Sequence, residues 1–438
     1  MPRLLADITP LKVSPAYRRI FFGNALSIIG TAVTLMAVSL EVFELTQSSA
    51  AVGMIGLCAL IPLIVAGLYG GAIADSFDRR KVALCSSLVL WFTTVLICAQ
   101  AWAGLQQVWL LYLLTAIHSA AGGINAPTRG AIIPALVGDK LLPSANALNM
   151  ILGSVGMMVA PVIGGFLVAT VGFKWTYTLD VVTFLGSLYS VWRLPPMPPS
   201  EKRGVPGFKA VFDGFAFLAT RPNVRMTFLI DLCAMILAAS RALLPAIAAF
   251  SLGGGTATVG FLLGAGAAGS FLGAIFSGPL GGVVRQGRAV YWAVSAWGLT
   301  TLAVGAVVLM CRPGPDGAAN VWGVILAVLF LLVGGLADTV SSVFRNTILQ
   351  SATPDHLRGR LQGVFVVVVT GGPRLGDAIA GGLATAWAVA LGSSSATNGA
   401  PGEGLTLLLG GLACVLGAAL LMRWQPGFLQ YDSRDPQP

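Results

Sequence analysis

Residues 50–74 read AAVGMIGLCALIPLIVAGLYGGAIA, a run without a single charged side chain. A helix needs about 20 apolar residues to cross the hydrocarbon core of a bilayer, which is about 30 Å thick, and this run is long enough. A strand of a membrane barrel would instead alternate apolar and polar residues over about ten positions. The stretch therefore predicts a transmembrane helix.

The rest of the chain repeats this pattern. The 438 residues are 56% hydrophobic and only 10% charged, and the mean hydropathy is +0.84, whereas soluble domains carry about 25% charged residues. About twelve apolar runs are separated by short polar joints. The 55 glycines provide small surfaces on which membrane helices pack. We therefore predict an all-α integral membrane protein with twelve transmembrane helices, numbered 1 to 12 along the chain.

The joint between helices 6 and 7 is longer than the others. Residues 195–222 begin with a proline cluster and then become basic, and proline cannot continue a helix without losing a backbone hydrogen bond. We predict a six-helix bundle over residues 1–194, a cytoplasmic linker over 195–222, and a second six-helix bundle with a short cytoplasmic tail over 223–438.

The two predicted bundles resemble each other in sequence. Arg18 and Asn24 in helix 1 correspond to Arg225 and Asp231 in helix 7 at one constant offset. Parallel repeats of this kind are a transporter architecture in which the substrate path lies between the halves, near the membrane midplane. The halves are therefore predicted to form a pseudo-repeat.

Lysine and arginine are distributed unevenly between the two sides of the predicted membrane. With the N-terminus inside, the outer loops hold only Lys174 and Arg312. The positive-inside rule then predicts that both termini of this multi-pass membrane protein lie in the cytoplasm. This topology accounts for the net charge of +9. No basic stretch is long enough to predict nucleic-acid binding.

The joint between helices 2 and 3 combines glycine, an acid and a basic triplet. It reads GGAIADSFDRRK over residues 70–81, and the residues expected to act there are Gly71, Asp75, Arg79, Arg80 and Lys81. Glycine lets helices pack closely, and an acid such as Asp75 can stabilise the N-terminus of a neighbouring helix. We predict a gating loop; a solvated cytoplasmic loop is the alternative.

Helix 5 contains a proline among small residues. It reads GMMVAPVIGG over residues 156–165, and its marked positions are Gly156, Ala160, Pro161, Gly164 and Gly165. Proline frees a backbone carbonyl and bends the helix, while the glycines give a smooth face on which a neighbour can slide. A kink without meaning for the direction of transport is the alternative.

Both patterns resemble motifs of the major facilitator superfamily. The stretch 70–81 resembles its cytoplasmic loop signature, and 156–165 resembles the antiporter motif of its exporters, with Ala160 where glycine is usual. Further stretches resemble the siderophore exporters of that superfamily, at residues 11–18, 134–138, 241–245, 259–262, 359–360 and 376–379. The resemblance implies a secondary active transporter that exports a catecholate siderophore such as enterobactin by proton antiport and alternating access. Macrolide and multidrug exporters are related to these proteins, so drug efflux on the same scaffold is the alternative.

Ionisable residues inside predicted membrane helices are costly to bury and are therefore functional candidates. Asp377 and Arg374 lie one turn apart on helix 11, and with Asp231 on helix 7 they are predicted to couple transport to protons. A fixed Asp377–Arg374 ion pair is the alternative. The candidates for the substrate cavity are His118, Asn125, Arg129, Arg241, Asp338 and Arg345. The alternative for His118 is polar packing against a neighbouring helix, and that for Arg129 is snorkelling to the interface. For Arg241 and for Asp338 and Arg345, which could form an internal pair, the alternative is a structural role.

Two further acids, Glu41 and Glu44, are predicted at the outer end of helix 1, where we expect them to be solvated. Asp180 in helix 6 is a buried candidate for which a structural role and substrate contact are both open.

Other classes of protein are poorly supported by the sequence. The two histidines, His118 and His356, are far apart, and no cluster of nucleophile or acid–base groups surrounds either one. Neither a C-x-x-C pair nor a phosphate loop of an ATP-driven pump is present. We predict no enzyme, no metal and no cofactor. The expected partners are a small-molecule substrate, protons and the lipid bilayer, and the chain is expected to be a monomer. Import by symport is less favoured, because helix 5 resembles exporters.

Overall fold

The structure, a computed structural model, describes residues 8–198, 218, 220–238, 241–276, 283–314, 317–351, 355–392, 401–432 and 434. In this part of the chain a short helix, Thr9–Val13, precedes twelve principal helices. They are α1 (Pro15–Thr46), α2 (Ser49–Ser76), α3 (Arg79–Ala103), α4 (108–137), α5 (139–171), α6 (173–192), α7 (Pro222–Leu237), α8 (Gly255–Ile275), α9 (Gln286–Met310), α10 (Val321–Ser351), α11 (Asp355–Ala390) and α12 (Pro401–Trp424).

Length and apolarity identify most of these helices as membrane spans. Among the described residues, 10 helical stretches are long and apolar enough to cross a bilayer. One of them, Val159–Trp192, contains the boundary between α5 and α6. In lipid every backbone polar group has to be satisfied within the protein, and helices achieve this locally. The prediction of an all-α integral membrane protein is confirmed.

Glycine permits the two breaks in the helical stretch Val108–Trp192. Gly138 has φ 69° and Gly172 has φ 76°, in the left-handed region that side chains with a Cβ rarely adopt. These two residues therefore end α4 and α5 and separate three consecutive helices.

The region after α7 does not continue as one α-helix. The chain resumes as a 3₁₀ turn at Arg241–Leu243, an α-helical turn at Leu244–Ile247 and a π-helical turn at Ala248–Leu252. Pro245 lacks an amide hydrogen, so it fits the first turn of a new helix and would disrupt a continuous one. The new start leaves backbone N–H groups that need acceptors from elsewhere.

The chain forms two compact units. Unit 1 consists of Met1–Glu41 and Cys58–Gly207, and unit 2 consists of Val42–Leu57 and Phe208–Pro438. The predicted division of the chain differs from these units in the segment Val42–Leu57. Most of the predicted linker 195–222 lies outside the described residues, and the two six-helix bundles stay a prediction.

Close backbone packing explains why Val42–Leu57 belongs to unit 2. A Cβ atom at Gly53 would lie 2.6 Å from the carbonyl oxygen of Asp377, and one at Gly56 would lie 2.9 Å from that of Arg374. Gly381 on α11 faces the carbonyl of Ser49 in the same way. Small residues thus bring the first turns of α2 against the backbone of α11.

Gly269 on α8 shows the same kind of packing and offers a direct test. A Cβ atom there would collide with the carbonyl of Leu332 on α10, whereas one at Gly266 would meet nothing within 4 Å. We expect Gly269→Ala to lower the free energy of unfolding by about 1–3 kcal/mol through overpacking. Gly266→Ala should leave it unchanged or raise it by about 1 kcal/mol through helix propensity. Thermal unfolding of the detergent-purified variants measures both, and equal midpoints would contradict the prediction.

Candidate functional site

Unit 2 gathers charged side chains from several helices. Asp231 on α7 is 2% exposed and forms an ion pair with Arg345 on α10. The Nη2 atom of Arg345 also lies 3.6 Å from Oδ1 of Asp338, two turns earlier on α10. Arg345 therefore lies between carboxylates from two helices, and its charge is partly compensated by each.

Asp377 extends this group to α11. Its Oδ1 accepts a hydrogen bond of 3.2 Å from the backbone amide of Ala242, at the start of the segment that follows α7. Arg241 immediately precedes Ala242 in the same 3₁₀ turn. Asp377 thus satisfies a backbone N–H group that the break after α7 leaves without an intrahelical acceptor.

Arg374 does not pair with Asp377 as their spacing suggests. In the described part of the chain it forms no ion pair, and its Nη1 is buried without a hydrogen-bond partner. Asp377 instead contacts the turn Arg241–Leu243, through the backbone amide of Ala242. We call the six residues the unit 2 charge cluster: Asp231, Arg241, Asp338, Arg345, Arg374 and Asp377. Three acids and three arginines balance formally, and Arg374 keeps donor capacity for a further group.

In unit 1, Arg129 on α4 connects helices through neutral partners. Its Nη1 donates to Oδ1 of Asn24 at 2.8 Å, and its Nη2 donates to the hydroxyls of Ser87 at 3.1 Å and Ser187 at 2.9 Å. These partners lie on α1, α3 and α6. Arg129 is only 8% exposed. Its described hydrogen bonds go to neutral oxygens and not to a carboxylate, so dipoles alone stabilise this buried cation.

His118 and Asn125 on α4 contact α3. The ring Nδ1 of His118 lies 3.0 Å from the hydroxyl of Thr93. The amide of Asn125 donates to Ser86 at 2.8 Å and to Ser87 at 2.9 Å. Both side chains are buried. These bonds join α4 to α3, and a place for either residue in a substrate cavity stays a prediction.

The joint between α2 and α3 is organised by Asp78, which the sequence reading overlooked. Asp78 is the N-cap of α3, and its Oδ1 accepts from the amide of Arg80 at 2.9 Å and from that of Met197 at 3.3 Å. Aspartate is one of the preferred N-cap residues. Its position just before a predicted helix could therefore have identified Asp78 as the N-cap of α3. The contacts of Gly71 and of the Asp75 side chain lie outside the described part of the structure.

The two arginines of the basic triplet donate to backbone carbonyls, and in the described part of the chain the lysine does not. Nη1 of Arg79 donates to the carbonyl of Ala131 on α4 at 3.0 Å, and Nη2 of Arg80 donates to that of Trp192 on α6 at 2.6 Å. Lys81 is exposed. The two arginines therefore attach the start of α3 to the ends of neighbouring helices in unit 1.

The small residues of α5 pack against α1. A Cβ atom at Gly156 would lie 2.6 Å from Cγ2 of Ile28, and one at Gly164 would lie 3.0 Å from Sδ of Met36. Ala160 and Gly165 are buried, and Pro161 is half-buried. The predicted antiporter motif thus forms a close, smooth contact between two helices of unit 1.

Two buried acids were not identified as candidates from the sequence. Glu41 was expected to be solvated, which is wrong: it is 6% exposed and accepts from Gln100 at 3.1 Å and from the hydroxyl of Tyr177 at 2.6 Å. In unit 2, Glu403 accepts from the hydroxyl of Ser49 at 2.6 Å. Glu44 is exposed as expected. A position near the end of a helix does not predict whether an acid is exposed, because residues from other helices can cover it.

Comparison with known proteins identifies the family. Residues 6–418 match the family described as transmembrane secretion effector. The enterobactin exporter EntS of Escherichia coli O6:K15:H31 (strain 536 / UPEC) is 30% identical over 405 residues, which are 92% of this chain and 94% of that protein. The enterobactin exporter of Shigella boydii serotype 18 (strain CDC 3083-94 / BS512) has the same identity, 30%, over the same 405 residues.

Solved structures agree on the fold. The nucleoside transporter NupG superposes with a TM-score of 0.70 at 14% identity and covers 93% of this chain and 98% of its own. A D-xylose–proton symporter gives 0.66 at 14% identity, with 96% and 98% covered. At such low identity these structures support the architecture alone. Taken with the match over nearly the whole sequence, they show that the chain is a membrane transporter, not an enzyme, and that it belongs to the transmembrane secretion effector family of the major facilitator superfamily.

Proposed function

We propose that this protein exports a catecholate siderophore, such as enterobactin, from the bacterial cytoplasm by proton antiport. The observation that carries the proposal is the 30% identity to an enterobactin exporter across 92% of the chain. The smooth contact between α5 and α1, in the stretch that resembles the antiporter motif of exporters, supports export over import. The protein acts as a monomer in the inner membrane with both termini in the cytoplasm.

The unit 2 charge cluster supports coupling to protons. Ionisable groups inside a membrane are retained where they serve substrate or ion movement. Asp377 accepts a hydrogen bond from the backbone amide of Ala242, beside the break after α7. Protonation of Asp377 would weaken this hydrogen bond, at a place where the helix is already interrupted. We infer that Asp377 carries a coupled proton beside the turn Arg241–Leu243, whose Ala242 amide donates to it.

Two arginines of the cluster support an anionic substrate. Arg241 is exposed, and Nη1 of Arg374 has no hydrogen-bond partner among the described residues. Guanidinium groups donate in a planar fork that suits paired oxygens, and a catecholate presents two adjacent oxygens. We infer that these two arginines attract the catecholate groups, and that Arg129 in unit 1 provides a further positive site.

Uptake of labelled enterobactin into everted vesicles tests the proposal. Everted vesicles turn export into uptake, so we expect accumulation that requires an imposed pH gradient and disappears when an ionophore collapses it. Vesicles without the protein are the control. Ethidium added in excess measures whether the cavity also takes a cationic drug.

The outcomes separate the two functions of this scaffold. Gradient-dependent enterobactin uptake that ethidium does not inhibit would support siderophore export. Ethidium uptake without enterobactin uptake would move the assignment to multidrug efflux. Enterobactin uptake that is indifferent to the pH gradient would contradict proton antiport.

A further inference from the structure

A small cavity in unit 1 contains a carboxyl group that the preceding sites do not include. Its volume is about 90 Å³, and it lies between α1, α5 and α6. The lining residues are Leu26, Ile29, Gly30, Val33, Ile163, Thr176, Leu179, Asp180 and Thr183. Ile163 belongs to the antiporter-like stretch of α5, so the cavity borders that motif directly.

Asp180 on α6 has one satisfied oxygen and one open oxygen. Its Oδ2 accepts a hydrogen bond of 2.6 Å from the hydroxyl of Thr34 on α1. Its Oδ1 is buried and has no hydrogen-bond partner in the part of the chain that the structure describes. The residue is 1% exposed, and Thr34 is 2% exposed. A carboxyl group that lines a cavity therefore keeps a free acceptor beside it.

Glycine makes the room for this free oxygen. A Cβ atom at Gly30 would overlap Oδ1 of Asp180 and would lie 3.2 Å from the hydroxyl of Thr183. The hydroxyls of Thr176 and Thr183, which also line the cavity, already donate to the backbone carbonyls of Gly172 and Asp180. Thr34 is therefore the one described hydroxyl that donates to the Asp180 carboxyl group.

No described cation compensates the charge of Asp180. The ionisable groups on the surrounding elements are Tyr17, Arg18, Arg19, Glu41 and Glu44 on α1, Tyr112, His118 and Arg129 on α4, Asp139 and Lys140 on α5, and Lys174, Tyr177 and Tyr189 on α6. None of those that the structure describes forms a salt bridge with Asp180. Burial of an ionised carboxylate without a cation is costly, and a bound proton removes that cost.

Thr34 suits both protonation states of its partner. A hydroxyl donates to an ionised carboxylate and can instead accept from a protonated acid by rotating its hydrogen. The contact between α1 and α6 therefore survives the gain and loss of a proton, which an amide N–H donor would not allow.

We propose that Asp180 is a proton-exchange site of unit 1, with Thr34 as its hydrogen-bond partner in both states. The reaction is binding and release of one proton at Oδ1, with no other bond made or broken. A role of Asp180 in transport rests on the proposed proton antiport, whereas its binding of a proton does not depend on that proposal.

Infrared difference spectroscopy tests the proton site without any substrate. The purified protein in liposomes is stepped between acid and alkaline pH, and the C=O stretching band of protonated carboxyl groups is followed. We expect a titrating band that Asp180→Asn removes. Thr34→Val, which keeps the shape but deletes the hydroxyl, should shift that band and not remove it. An unchanged spectrum in Asp180→Asn would overturn the proposal.

Transport in everted vesicles tests the coupling. For one proton, a gradient of about one pH unit supports about a tenfold accumulation ratio. We expect Asp180→Asn to reduce the gradient-driven accumulation of labelled enterobactin about tenfold while exchange without a gradient continues. Undiminished accumulation would overturn the coupling role. If the wild-type protein does not transport enterobactin, the proposed function fails, and the infrared result still decides the proton site.

Discussion

Replacing Asp231 by leucine is expected to lower the free energy of unfolding by about 3–5 kcal/mol, because the change leaves Arg345 buried without its main counter-charge. The two side chains are only 3% and 5% exposed, so solvent cannot replace the lost carboxylate. Asp338 lies 3.6 Å from Nη2 of Arg345 but is itself about one-third exposed, at 34%, and compensates only in part. Thermal unfolding of the purified variant measures the loss.

The matched control removes both charges. The double variant Asp231→Leu, Arg345→Met should recover most of the lost stability, since apolar residues of similar volume often replace a buried ion pair without cost. Equal destabilisation by the single and double variants would contradict this account. A stable double variant that no longer transports labelled enterobactin would assign the pair to the transport cycle and not to folding.

Replacing Asp377 by asparagine is expected to uncouple transport while leaving the protein folded. The amide oxygen of asparagine can still accept the N–H of Ala242, now 3.2 Å from Oδ1, but the side chain can no longer carry a proton. We expect gradient-driven accumulation of enterobactin to fall about tenfold per pH unit, the contribution of one proton. Exchange of labelled for unlabelled substrate without a gradient should persist.

A second variant separates the charge from the hydrogen bond. Asp377→Leu removes both and leaves the amide of Ala242 without its acceptor, so it should also lower the free energy of unfolding by about 1–3 kcal/mol. Accumulation at the wild-type level in Asp377→Asn would remove Asp377 from the coupling mechanism. Loss of gradient-free exchange in that variant would point instead to a role in binding.

The partners of the predicted site residues could not be read from spacing. Arg374 lies one turn before Asp377, yet the group that meets the Asp377 carboxylate comes from the broken segment after α7, which is remote in sequence. Glu41 is near the end of α1, yet Gln100 and Tyr177 from two other helices enclose it. Spacing within one helix defines a shared face, whereas a hydrogen-bond partner depends on which neighbouring helix occupies that face.

The sequence by itself determined the elements and the class of this protein. Long runs without charge dictate helices that cross the membrane, because lipid offers no partner to backbone N–H and C=O groups and a helix satisfies them locally. The glycine and proline patterns at 70–81 and 156–165 are local too, and they indicated the superfamily correctly.

What only the tertiary structure decided is the set of contacts between helices. It placed Val42–Leu57 in unit 2, enclosed Asp180 beside a cavity with Thr34, and joined Asp231 to Arg345. These outcomes depend on side chains far apart in the chain meeting in a medium of low polarity, where each charge must find a counter-charge, a dipole or a proton.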